Sequence, residues 1–277
     1  MAGTLYVVAT PIGNLEDVTL RALRILRDVP LIAAEDTRRT ARLLQHYSIS
    51  TRTTSLHAHN EHEKAPVLID RLKAGDSIAL VTDAGTPLIS DPGQGLVRQA
   101  RAAGIRVEAI PGPSAVMAAL SASGWGGEGF TFLGFPPHRS SDRERWLARL
   151  VDIGQLTVVF EAPHRIARTL DELGELFGKD HEIAVARELT KAHEELVIGP
   201  ISAARTRFHE ARGEFTLLIP PKNASSSAPV SVPDVNHLRE ELGRLAKDRA
   251  IGRRDALKQL AARYGLSVNQ LYRLLES

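Results

Sequence analysis

Between Thr4 and about Leu120 the chain alternates short apolar runs with stretches whose apolar residues recur every three or four positions. That is the pattern of βαβ units in a parallel sheet. The runs predict strands over residues 5–9, 31–34, 77–81 and 106–110, and the periodic stretches predict helices near 18–27, 39–47, 63–74 and 95–103. Gly75 and Gly104 fall just past two of these helices, where a residue free to take positive φ closes the last turn. A further helix is expected over about 113–121. Together these make one doubly wound α/β domain, residues 1–122.

The glycine-rich stretch 124–129 breaks the pattern, and an apolar run at 130–135 opens a second α/β domain, residues 123–222. Its strands are expected at 156–160, 182–187 and 215–219, with a helix at about 166–177. Residues 223–234, rich in Ser, Pro and Ala, read as a linker. In the tail, residues 235–277, Leu257, Leu260, Ala261 and Tyr264 recur at helical spacing. Gly265 stops that helix, and Ser267 with Gln270 forms a capping box for the next, with Leu266 and Leu271 placed for a hydrophobic staple. Two helices on so short a turn make a helix-turn-helix-like unit.

Composition narrows the classes without choosing a function. The 277 residues, 43% of them hydrophobic, suffice for two cores. The absence of cysteine excludes disulfides, thiolate metal sites and a cysteine nucleophile. No long apolar run and no signal-peptide pattern is visible, so a cytoplasmic protein without a membrane span is expected. The net charge of +2 is uneven: residues 235–277 carry +4 and the rest −2. With Arg253, Arg254, Lys258, Arg263 and Arg273, the basic tail reads either as a nucleic-acid contact or as a solvated helical cap or dimer contact.

In a parallel α/β sheet ligands bind beyond the carboxyl ends of the strands, so the segments there carry the chemistry. They are TPIGN (10–14), AEDTRRT (34–40), TDAGTPLISDPG (82–93) and PGPSA (111–115). All four are small, Gly/Pro-rich or charged, which predicts a ligand crevice. Ala84, Gly85, Gly93, Gly112 and Ala115 leave room for backbone amides to approach a ligand closely. Neither GxGxxG nor GxxxxGK[ST] occurs, which disfavours a dinucleotide or a P-loop nucleotide.

The motifs VATPIGN, AEDTRRT, TDAGTPLISDPG, PGPSA, GFPP (134–137), FEAPHR (160–165) and ARELTKAHEE (186–195), in this order and spacing, resemble the tetrapyrrole methylase superfamily. Within it the likeness is to the branch that acts on ribosomal RNA, and it covers essentially the whole chain, tail included. The resemblance implies two α/β domains with S-adenosylmethionine in the cleft between them. It also implies 2′-O-methylation of a cytidine in the decoding region of 16S rRNA, with free 16S rRNA or the 30S subunit as partner and a homodimer as assembly. Carried over by motif, the cofactor would touch Ile12, Ala84, Gly85, Thr86, Ser114, Ala115, Phe160, Glu161 and Leu189. Many tetrapyrrole-methylating members have a GxGxG loop where this chain has ATPIG, which argues against a tetrapyrrole acceptor. A small-molecule acceptor and a non-enzymatic nucleic-acid binder are the alternative readings.

Methyl transfer to a ribose hydroxyl needs a base and no metal. Asp36, His57 and Glu161 are candidates, as are Glu35, Asp83 and Asp91, and the residues alone do not choose among them. Arg38, Arg39 and Arg165, with Arg253 and Arg254 of the tail, are candidates for RNA phosphates, since guanidinium matches phosphate geometry. A surface ion pair with a neighbouring carboxylate is the plainer reading of each of the first three. His57, His59 and His62 lack a visible fourth ligand, so HAHNEHEK (57–64) reads as a polar substrate-side loop, or a solvated one, rather than a metal site.

Overall fold

The computed structural model describes residues 2–210, 212–222 and 235–247, with 256–257, 260–261, 271–272 and 274–275 further on. The chain divides into two compact units, Met1–Asn223 and Ala224–Ser277.

The first unit begins with β1 (Thr4–Val8), α1 (Leu20–Asp28), β2 (Leu31–Ala34), α2 (Thr37–His46), β3 (Thr53–Ser55), α3 (Glu61–Lys73), β4 (Ile78–Val81), α4 (Gln94–Ala102) and β5 (Arg106–Ile110). The five strands pair in the order β3-β2-β4-β1-β5, all parallel. Alternation along each strand sends side chains to opposite faces. Ile32, Ala34, Ala79, Val81 and Val8 meet Ala22, Leu26, Leu43 and Leu44 on one face. Leu31, Ala33, Ile78, Leu80 and Leu5 meet Ala65, Leu68, Leu72 and Leu96 on the other. Both faces are covered, so β2 and β4 are apolar at every position, as buried parallel strands are. Gly75 and Gly104 take φ of 109° and 70° just beyond α3 and α4, as expected of them.

α5 (Ala115–Ser123) joins the first sheet to the second. There follow β6 (Phe130–Phe132), α6 (Ser140–Asp152), β7 (Leu156–Glu161), α7 (Ile166–Phe177), β8 (Glu182–Arg187), β9 (Glu195–Pro200), α8 (Ile201–Arg207) and β10 (Phe215–Ile219). The order is β6-β7-β10-β8-β9, with β6 parallel to β7 and every other pair antiparallel. One face packs Val159, Ile183, Val185 and Leu217 under α6, α7 and α8. The other packs Leu156, Val158, Ala184, Ala186 and Leu218 against Val116, Ala119 and Leu120 of α5. A helix that follows a first-sheet strand therefore closes the core of the second sheet.

Four elements were not expected from the pattern. β3 is three polar residues at the edge of its sheet, held by backbone pairing with β2. β9 is also an edge strand, half-buried without clean alternation. α6 buries an arginine, Arg143, among its few core residues, and α8 buries only Ile201 and Ala204, so neither shows a long apolar stripe.

In the second unit, α9 (Val235–Lys247) contributes Leu238 to a small core with Leu257, Leu260, Ala261 and Leu271. Of the periodic positions Leu257, Leu260 and Ala261 thus pack together, while Tyr264, and Leu266 of the expected staple, lie outside the described residues. Gly265, Ser267 and Gln270, and with them the proposed turn, lie outside the described residues, as do the linker 223–234 and the tail residues Arg253, Arg254, Lys258, Arg263 and Arg273.

Candidate active site between the two sheets

Three loops at the carboxyl ends of the first sheet are stitched to one another. Thr10 and Gly85 exchange backbone hydrogen bonds of 2.8 and 2.9 Å, forming an isolated antiparallel bridge. Gly85 takes φ of 83°, which a side chain would oppose. The Thr86 hydroxyl donates to the Pro113 carbonyl at 3.2 Å, and Ser114 caps α5 by accepting from the Met117 N–H. The first loop also meets the second half of the unit: a Cβ on Gly13 would lie 2.4 Å from Lys191 Cγ and 2.9 Å from the Leu189 carbonyl oxygen. Thr190, beside these, is held at φ of 67°, a costly conformation for a β-branched residue.

These loops form one wall of a cavity of about 390 Å³, and the second sheet forms the other. That is the size of a small-molecule site. All nine residues that the resemblance implies for the cofactor, Ile12, Ala84, Gly85, Thr86, Ser114, Ala115, Phe160, Glu161 and Leu189, line this one cavity. They come from five separate segments of the chain. Its charged lining is five carboxylates, Glu35, Asp83, Asp91, Glu161 and Glu214, against Arg39 and Lys191. A cavity so acidic suits a cationic ligand and repels a polyphosphate.

The candidate bases separate on geometry. Asp36 caps α2, its carboxylate bonded to Arg38 at 2.7 Å and 3.1 Å, and it is not among the cavity residues. The Arg38 side chain, then its backbone N–H, hold the Asp36 carboxyl well below the usual carboxylate range. His57 also lies outside the lining; its Nδ1 is buried without a partner and its ring meets His59 at 6.0 Å. Among the described residues no three His, Cys, Asp or Glu side chains come together as a metal site would require. Glu61 from the same stretch accepts from the Gly93 and Leu96 N–H groups, tying α3 to the start of α4.

Glu161 does line the cavity, but its carboxylate is 0% exposed and committed to the fold. It accepts from the Thr169 hydroxyl and from the Ala162 N–H, the latter at 2.8 Å, and lies 3.4 Å from Arg165. Arg143, 2% exposed, donates to Thr169 at 2.7 Å and to Glu172 at 2.7 Å, completing a buried network.

Glu35, Asp83 and Asp91 remain. Glu35 accepts from the Thr82 hydroxyl at 2.7 Å and from the Asp83 N–H at 3.2 Å, and Asp83 accepts from the Asp36 N–H at 2.9 Å with Arg39 at 3.5 Å. Burial, then the charge of Glu35, raises Asp83. Burial likewise raises Asp91 to about 6, reinforced by Glu35 and Asp83 and opposed by a hydrogen bond with Thr82. Of the three, only Asp83 makes an ion pair among the described residues; Glu35 is taken up by the Thr82 hydroxyl and the Asp83 N–H, and Asp91 is left.

The arginines also divide. Arg39 lines the cavity, whereas Arg38 projects into solvent at 88% exposure while paired to Asp36. Arg165 is largely buried, donating to the Pro136 and Pro137 carbonyls. Arg38 and Arg39 thus each make a surface ion pair with a neighbouring carboxylate, Asp36 and Asp83, whereas Arg165 faces a buried one, Glu161.

Sequence reasoning passed over Ile89, Phe135, Lys191, Glu214 and Thr216, which also line the cavity. Ile89, Phe135 and Lys191 belong to the motifs TDAGTPLISDPG, GFPP and ARELTKAHEE. Against the lowering effect of burial, bonds to Glu188 and Glu214 raise the pKa of Lys191. Glu214 and Thr216 carry no local signal, because only the pairing of β10 with β7 and β8 brings them to the crevice.

A family model described as tetrapyrrole (corrin/porphyrin) methylases matches residues 4–205, and the chain belongs to that family. Its relatives point more narrowly. It is 48% identical over 222 residues to the ribosomal RNA small subunit methyltransferase I of Vibrio cholerae, covering 79% of this chain and 77% of that one. It is 44% identical over 276 residues to the Synechocystis protein of the same name, covering 98% and 97%. In fold it is similar to the uroporphyrin-III C-methyltransferase of Thermus thermophilus, solved in complex with S-adenosyl homocysteine, at a TM-score of 0.56 and 19% identity, covering 78% and 97%.

Proposed function

We propose that this chain transfers a methyl group from S-adenosylmethionine to the 2′-oxygen of a cytidine in the decoding region of 16S rRNA. The observation that carries the reading is the convergence of nine motif residues from five segments on one acidic, small-molecule-sized cavity. Relatives named for small-subunit rRNA methylation match along nearly the full chain, which favours RNA over a tetrapyrrole as acceptor. The same reading takes the protein as a cytoplasmic homodimer.

The lining fits the cofactor on its own chemistry. Ile12, Val116, Phe160, Ala186 and Leu189 supply an apolar surface, and small residues Ala84, Gly85, Ser114 and Ala115 let backbone groups come close. The excess of carboxylates complements a sulfonium and an ammonium. When bound, the cofactor supplies a methyl carbon already activated by positive sulfur.

What the protein adds is position and a place for the proton. Asp91 is assigned the base: it faces the cavity, makes no ion pair among the described residues, and is raised toward neutrality by burial and by its acidic neighbours, whereas Glu35, also without an ion pair there, accepts from the Thr82 hydroxyl and the Asp83 N–H. With the cofactor supplying the methyl group and departing as a neutral thioether, the Asp91 carboxylate would take the proton that the ribose hydroxyl gives up. Arg39, at the same cavity and held by Asp83, is assigned to an RNA phosphate near the target.

The test is transfer of labelled methyl from S-adenosylmethionine to 30S subunits lacking the modification, followed by nuclease mapping. The expected product is a single 2′-O-methylcytidine in small-subunit RNA. Label absent from RNA, with cofactor binding intact by calorimetry, would overturn the rRNA assignment and point to a small-molecule acceptor.

A further inference from the structure

Phe135 and Ile89 are the two large apolar residues of the cavity that stand open to solvent, at 51% and 47% exposure. Exposed apolar side chains scattered over a surface need no explanation. These two share one cavity and come from opposite walls. Their loops touch: a Cβ on Gly134, next to Phe135, would lie 3.0 Å from the Ser90 hydroxyl, next to Ile89.

The backbone beside each is held by hydrogen bonds or by left-handed dihedrals. Phe135 is the outer member of an aromatic series, its ring centroid 5.4 Å from Phe160, which in turn meets Phe132 at 4.9 Å. Gly134 takes φ of 65°, and its carbonyl accepts from the Phe160 N–H at 2.9 Å. The following carbonyls, Pro136 and Pro137, accept from Arg165, and Pro137 accepts from the buried Arg143 as well. Two guanidinium groups thus fix a loop whose aromatic ring is left open. Across the mouth, Leu88 and Ser90 take φ of 73° and 72°, a left-handed conformation on each side of Ile89 that costs energy in non-glycine residues. Arg39 stands at the same cavity with a side chain 60% exposed.

We propose that Phe135 and Ile89 form a lip that receives an unpaired nucleobase of the acceptor, stacked on Phe135, so that the attached ribose reaches the cavity. The inference rests on the RNA reading above. A rigid, exposed aromatic face beside a cation is how single-stranded nucleic acid is gripped, because every base has a π-face and every nucleotide a phosphate. Phe135 is on this account a positioning residue for the acceptor and has no part in holding the cofactor.

The experiment compares wild type with Phe135→Ala, Phe135→Leu and Phe135→Trp in steady-state methyl transfer to 30S subunits lacking the modification, with cofactor affinity measured by calorimetry. Loss of one base–aromatic stack is worth about 5- to 150-fold. F135A and F135L should therefore lose about tenfold or more in kcat/KM for the subunit, while F135W stays near wild type and all three keep cofactor affinity within about twofold. Leucine fills the space without a π-face, so a merely structural role would leave F135L close to wild type and disturb F135W. Wild-type kinetics in F135A, or a loss of cofactor affinity that accounts for the drop, would overturn the proposal. If wild type labels no RNA at all, the RNA reading itself fails, and fluorescence of a single-stranded RNA oligonucleotide carrying 2-aminopurine still judges the lip: quenching by wild type and not by F135A supports it, and equal quenching overturns it.

Discussion

Replacing Arg143 by methionine isolates the buried network under the active-site loop. Arg143 is 2% exposed and donates to Glu172 at 2.7 Å, to Thr169 at 2.7 Å and to the Pro137 carbonyl at 3.3 Å, and it lies 3.9 Å from Glu161. Methionine occupies similar space with an adaptable chain, so the cavity contribution is small and the electrostatic one dominates. Glu172 keeps Arg168 at 2.8 Å and has some access to solvent. Glu161 has no such access, and its remaining support is Arg165 at 3.4 Å, the Ala162 N–H and the Thr169 hydroxyl. Removing one partner from a buried charge network costs about 3–5 kcal/mol. For a unit of this size that lowers the melting midpoint by roughly 6–20 °C. Urea unfolding followed by circular dichroism gives the loss directly, with Arg145→Met as control. Arg145 lies on the same helix, exposed, with an ion pair to Asp142 and a hydrogen bond to the Ser141 carbonyl at 3.3 Å, so it should cost at most about 1 kcal/mol. Adding Glu161→Gln removes the buried charge that has lost one of its two cations, so R143M/E161Q should be more stable than R143M. A loss below about 1 kcal/mol for R143M, or a double variant less stable than R143M, would refute the view that Glu161 needs this network.

Three further outcomes follow from the site. Asp91 is raised to about 6, and a base works only when ionised, so kcat should climb as pH rises through about 6 and level off above it. Asp91→Asn should cost about 10²–10⁴-fold and erase that limb, and a pH profile of D91N parallel to wild type would remove Asp91 from the role. Gly13→Ala places a methyl 2.9 Å from the Leu189 carbonyl, which belongs to the backbone and cannot swing aside, so calorimetry should register weaker cofactor binding; unchanged affinity would mean the two loops part without consequence. Arg38→Ala should leave the urea unfolding midpoint close to that of wild type, because the pair with Asp36 is at the surface. If Arg38 also contacts RNA phosphate, its removal reduces the dependence of subunit binding on salt by about one counterion, which titrations at several ionic strengths would read.

Much of this was legible in the chain itself, because local physics governs it. The short runs at β2 and β5 and the helical stripe of α7 matched the expected bounds residue for residue, since burial in a sheet or along a helix stripe leaves its mark on local composition. Gly75, Gly104 and Gly85 stand where positive φ is required, which marks turns from sequence alone. The loops that line the crevice were likewise visible, because a parallel sheet gathers the carboxyl ends of its strands on one side.

What tertiary structure alone decided is which side chains the crevice leaves available. Asp36, Glu161 and Asp91 look alike as carboxylates in acidic motifs. A local helix cap gives the first to Arg38, two residues on, and packing gives the second to Thr169, Arg143 and Arg165, while leaving the third without an ion pair among the described residues. Edge strands β3 and β9 are held by backbone pairing rather than by side-chain pattern, so nothing in their composition announced them. Arg143 within α6 and Glu214 before β10 gain their meaning from partners far along the chain. Periodicity records how each segment meets a surface, whereas the pairing of a charge depends on which distant segment folds against it.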